Sequence, residues 1–197
     1  LEAHVAELKR QITREFSKRN QIRKIFRFEI SDLRKALGPD AVLLEFISFD
    51  QKVNRYKWER RYGVVVIPSS NVKVPIKWID LGVAGDIDAI ISSLRKFVSG
   101  QTIGIKKPVR NLYDALVSPV LENIPKQVKT LVISPDSGLN FLSFGYLLGP
   151  KGRFLAEDYD LLYVSSGRDL LDTKNVQASS SKKMFVYANP DFQGVPR

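Results

Sequence analysis

The hydrophobic positions change their spacing several times along the chain. Leu1, Val5, Leu8, Ile12 and Phe16 fall four, three, four and four residues apart, which places them in one stripe on a helix. Ile22, Ile25 and Phe26 continue the stripe less regularly. A helix of this kind cannot bury its stripe alone, so it must pack on the domain that follows or on something N-terminal to it. Ser31 and Asp32 are then expected to cap a brief helix over residues 33–37, stopped by Gly38-Pro39. Residues 41–49 (AVLLEFISF) and 61–67 read as strands joined by a basic linker. Residues 72–81 alternate Val72, Val74, Ile76 and Trp78 with Lys73 and Lys77, the pattern of a half-exposed third strand. The connections are too short for a crossover helix, so this trio is expected to be antiparallel.

A second series of elements follows. Asp86 can cap a helix over residues 87–98 with an apolar face of Ile87, Ile90, Ile91, Leu94 and Phe97. After a loop over residues 100–107, Pro108 suits a first helical turn, and Leu112, Leu116, Val120 and Leu121 mark the next helix. Pro119 should kink or end it. Residues 130–133 form a short β-branched run, read as a buried strand. Pro135, Asp136 and Gly138 turn the chain after it, with Gly138 supplying a site tolerant of positive φ. The apolar segment 139–148 closes at Gly149-Pro150, Lys151-Gly152 turns again, and residues 159–164 read as another buried strand, after which Ser166 can cap a short helix. A polar loop over residues 172–183 leads to one more buried strand, 184–188, and a turn over residues 189–192.

Composition narrows the class. With 197 residues, 44% hydrophobic, the chain suits one α/β domain with a helical extension, divided here as residues 1–30 and 31–197. There are no cysteines, so the chain holds no disulfide, no thiolate metal site and no cysteine nucleophile. No cofactor or metal is expected, because ligands of the right type and spacing are missing. No uncharged apolar run reaches membrane-spanning length, and the N-terminus lacks the basic-then-apolar order of a secretory signal. The cytoplasm is the expected location. The net charge of +10 raises the question of nucleic acid. Its excess is concentrated in residues 1–37 and 51–77, and no recognition motif accompanies it, so a solvated basic helix and hairpin are the preferred explanation.

One stretch carries a recognisable signature. Leu131, Val132, Ile133, Pro135, Asp136, Leu139, Leu142, Phe144 and Leu147, then Gly152, Arg153, Phe154 and Leu155, then Tyr159, Ser165, Ser166, Arg168 and Leu170 resemble the CHAT domain, a caspase- and separase-related peptidase family often found after tetratricopeptide repeats. Ser137 and Ser143 depart from the pattern, at positions where a small residue or glycine and a proline are usual. NLYDALVSPVLENIP also resembles a helix of that family, and the resemblance extends over residues 31–197. It implies a caspase-like mixed sheet flanked by helices, here incomplete, and a helical repeat array before it.

The same resemblance implies a Cys–His pair in which imidazole takes the thiol proton and the thiolate attacks a peptide carbonyl. Both residues belong to family motifs that have no counterpart in this chain, whose single histidine, His4, lies on the charged N-terminal helix. No catalytic residue is therefore expected here. No G-x-S-x-G elbow and no phosphate-binding loop occurs either. Open α/β sheets place sites at strand C-terminal ends, which makes Ser165, Ser166 and Arg168, and Asp191 after the last strand, candidates for lining a substrate cleft. Capping and an internal ion pair explain the first three as well. The expected function is the N-terminal portion of a cysteine peptidase acting on a protein substrate, with a non-catalytic scaffold that binds a protein partner as the alternative.

Overall fold

The computed structural model describes residues 29–99 and 105–172. The expected N-terminal helix, the strand at 184–188, His4 and Asp191 lie outside the described residues. Five strands form one mixed sheet in the order β3-β2-β1-β4-β5. They are β1 (Ala41–Lys52), β2 (Trp58–Pro68), β3 (Lys77–Val83), β4 (Thr130–Ser134) and β5 (Asp160–Tyr163). β1, β2 and β3 pair antiparallel, as their short connections require, while β4 pairs parallel with β1 and β5 parallel with β4. The α/β class read from the sequence is the observed one, and the sheet with its flanking helices is consistent with a caspase-like fold.

The helices are α1 (Ile30–Ala36), α2 (Ala84–Ser99), α3 (Lys106–Leu116), α4 (Ser118–Leu121), α5 (Leu155–Asp158) and α6 (Asp169–Asp172). Alternation along the strands sends successive side chains to opposite faces. Val42, Leu44 and Phe46 of β1, Tyr62, Val64 and Val66 of β2, and Leu131 and Ile133 of β4 share one face. There they meet Ile87 and Ile91 of α2, Leu112 and Leu116 of α3, and the segment carrying Leu139, Phe144, Leu147 and Leu155. The other face buries a smaller cluster, in which Leu43, Ile67 and Val132 meet Leu33 of α1 and Leu37 just after it, with Leu170 and Leu171 of α6 packed beside them.

Several expectations need correction. The third strand begins at residue 77, not 72: Val72 turns into the larger core, and the paired stretch starts only beyond Pro75, which has no N–H to donate. β3 then pairs irregularly, with a register shift at Tyr62/Gly63. α2 begins at Ala84, so Asp86 sits inside its first turn rather than at its cap. α1 is capped from Glu29, whose N–H is accepted by Asp32, instead of by Ser31. Pro119 acts as expected: the helix breaks at Val117, and the proline occupies the first turn of α4. β5, expected to be buried, leaves Leu162 and Tyr163 nearly half exposed, because no described strand lies beyond it.

Candidate functional site at the strand ends

β1, β4 and β5 run parallel, so β4 and β5 end at the same edge of the sheet, beside the Glu45 level of β1. Two loops leave that edge: residues 134–138 after β4 and residues 164–168 after β5. A carboxylate ties them together. Glu45 lies opposite Ser134 in the β1–β4 register. Its Oε1 accepts from Ser134 Oγ at 3.0 Å, and its Oε2 accepts from the Gly167 N–H at 3.0 Å. A side chain at residue 167 would not fit, since a Cβ there would stand 2.7 Å from Leu43 Cδ2 and 3.0 Å from Glu45 Oε2. Glycine thus lets the loop descend onto the sheet until its N–H reaches the carboxylate.

The loop after β4 is held from the other face. Tyr62 OH donates to Asp88 Oδ1 at 2.9 Å and accepts from the Gly138 N–H at 2.9 Å. Burial, then the Asp88 hydrogen bond, pushes the Tyr62 phenol up to about 12, so it keeps its proton at neutral pH. Asp136 accepts from the Ser48 N–H at 2.7 Å, tying the turn back to β1. The positive φ of this turn falls on Ser137 (φ 50), not on Gly138 as expected. Gly138 is required for a different reason: a Cβ there would stand 2.3 Å from Asp88 Oδ1 and 2.9 Å from Tyr62 OH.

The sequence-predicted cleft residues come together only in part. The Ser165 and Ser166 N–H groups both donate to Asp169 Oδ2, at 2.8 and 3.2 Å, so Asp169 rather than Ser166 organises the entry to α6. Ser166 Oγ accepts the Arg168 N–H at 3.4 Å. Ser165 is exposed, and Ser166 and Arg168 are half-buried. Asp191 lies outside the described residues. The residues that sequence reasoning missed are Glu45, Tyr62 and Asp88. A signal for Glu45 was present, because a carboxylate inside the apolar run AVLLEFISF must find partners to be tolerated there.

Chemically, this edge is closed on itself. Among the described residues no buried side-chain nitrogen or oxygen lacks a hydrogen-bond partner. Ser134 Oγ is committed as a donor to a carboxylate that also binds a backbone N–H, and no imidazole stands beside it among the described residues. No group of three or more potential metal ligands occurs among them either. The signature residues divide by role. Leu131, Ile133, Leu139, Phe144, Leu147 and Leu155 fill the larger core, and Asp136 shapes a turn.

A five-stranded mixed α/β sheet with a braced edge at its parallel strand ends is the class of protein defined so far. Within that class, residues 106–196, a little under half of the chain, match the family model of the CHAT domain. No curated protein and no solved structure matches. The family match begins at α3, but β1 pairs directly with β4, so residues 41–83 and the matched part share one sheet. No described helix is long and apolar enough to cross a membrane.

Proposed function

We propose that this chain is the N-terminal portion of a CHAT-type cysteine peptidase that acts on a protein substrate in the cytoplasm. It supplies the sheet and its braced strand ends, while the histidine and cysteine of the dyad come from sequence beyond it. The observation that carries this reading is the family match over residues 106–196 in a chain without cysteine. Alone, the polypeptide is inert, because a thiolate attack on a peptide bond has no thiol to start from. In this reading Ser165, Ser166 and Arg168 of the loop after β5, with Asp191, line the cleft of the complete enzyme.

A non-catalytic scaffold is the second reading. It is favoured by the saturation of the strand-end polar groups, which leaves Ser134 and Glu45 with structural partners only. Incubating the purified 197-residue chain with a diverse peptide library tests the inertness. We expect no cleavage above a buffer blank. Cleavage that co-purifies with the chain and is lost in a Ser165→Ala or Ser166→Ala variant would overturn the proposal.

A further inference from the structure

The smaller-cluster face of the sheet has an apolar patch that no described element covers. Ile47 stands opposite Gly63 in the β1–β2 register, and the Trp78 ring lies over that glycine so closely that a Cβ there would fall 2.2 Å from a ring carbon. Phe49 and Trp78 meet edge-on with ring centroids 5.4 Å apart. Trp78 is 50% exposed and Ile47 37%. An aromatic and aliphatic group of this kind on one sheet face is a surface that wants a partner.

The path of the chain says which partner is at hand. α1 covers the adjoining part of the same face through Leu33, with Leu37 just after it. Its C-terminal end leads through Gly38 into the start of β1, and its Leu33 reaches the level of Gly167 and Glu45 further along the strand. α1 therefore runs antiparallel to β1, and its N-terminus at Glu29 points to the end of β1 where Ile47 and Phe49 stand. Residues 1–28 join the fold at that point. As a helix they would extend about 40 Å, against a width of about 19 Å for five strands. Their stripe of Leu1, Val5, Leu8, Ile12 and Phe16 needs an apolar surface.

We infer that residues 1–28 dock across this patch, their apolar stripe seated on Ile47, Phe49 and Trp78. The N-terminal extension is then an integral layer of the domain.

Trp78 is the natural reporter, since Trp58 is the only other tryptophan. In the full chain carrying Trp58→Phe, Trp78 should emit to the blue of a free tryptophan and resist acrylamide at every protein concentration. Leu8→Asp with Ile12→Asp should abolish that protection, whereas Arg10→Gln with Arg14→Gln should leave it intact. Protection that survives the aspartate pair overturns the inference in favour of another cover, such as residues 173–197. Protection that vanishes on dilution overturns it in favour of a second copy. Cysteine pairs give a second measurement that does not burden folding with buried charge. Ile47→Cys combined in turn with Leu8→Cys, Ile12→Cys or Phe16→Cys should give an intramolecular link with a short bismaleimide, and Ile47→Cys with Arg14→Cys should not. Failure of all three stripe pairs to link would contradict the docking.

Discussion

The two faces of the sheet are built from the same strands yet are finished differently. On one, Phe46, Tyr62, Val64, Leu131 and Ile133 meet two long helices and the segment 137–158, leaving a continuous buried cluster. On the other, burial is concentrated around Leu33, Leu43 and Val132, and beyond it lie Ile47, Trp78 and Leu162, each more than a third exposed. The difference teaches where the fold is self-sufficient. The first face is sealed by sequence between the strands, whereas the second depends on segments at either end of the chain. Glu45 sits on the second face and extends its order by tying Ser134 to Gly167.

The contrast can be broken first by truncation. Phe144→Ala, on the sealed face against Phe46 at 5.1 Å between ring centroids, should cost about 3–5 kcal/mol. Leu162→Ala on the open face should cost about 1 kcal/mol, in proportion to the smaller area it buries. Urea denaturation of both variants gives the comparison directly, and equal losses would remove the distinction between the faces.

The carboxylate tie comes next. Glu45→Ala strands the Ser134 hydroxyl and the Gly167 N–H and should cost about 2–3 kcal/mol. Glu45→Gln keeps one acceptor and should lose roughly half as much. Hydrogen exchange at Gly167 should speed up in both variants, and unchanged exchange would show that the tie does not hold the loop.

Tyr62 sharpens the account of the sealed side. Its folded-state acidity is weakened from an ordinary value of 10.0 to about 12, so the native state holds the phenolic proton more tightly than the unfolded chain does. The corresponding stability is fully present below pH 10 and is lost as pH rises through 12. Burial raises Tyr113 and Tyr159 as well, with the same sign. Tyr62→Phe should lose about 1–2 kcal/mol at neutral pH. It should also flatten the alkaline fall measured by denaturant midpoints between pH 9 and 11, values chosen to bracket the unfolded-state titration.

The smallest effect concerns the turn after β4. Ser137 adopts φ 50, a left-handed conformation in which glycine is the relaxed residue, so Ser137→Gly should gain about 0.5–1 kcal/mol. A loss in the thermal midpoint would show that the Ser137 Oγ contact with Asp136 Oδ1 at 3.3 Å outweighs the backbone strain.

Local patterns carried the strand at 130–134, the antiparallel trio, the break at Pro119 and the turn at 149–152, because each is set by neighbours within a few residues. Leu148 and Phe154 even pair across that last turn. What was hidden depends on distance along the chain. Glu45 meets partners 89 and 122 residues away, and Tyr62 meets Asp88 and Gly138 across the fold, so spacing alone could not join them. The apolar run at 160–163 looked buried because sequence shows what a strand is made of and not how many neighbours it has. The candidate serines were found at a strand end, as expected, but Asp169 and the backbone give that loop its shape.

The most direct measurement is the reading frame beyond Arg197 together with the intact mass of the native protein. The account predicts a longer polypeptide with a histidine-bearing strand followed by a cysteine-bearing strand. A native mass that ends at Arg197 would contradict the peptidase assignment and leave the scaffold reading in its place.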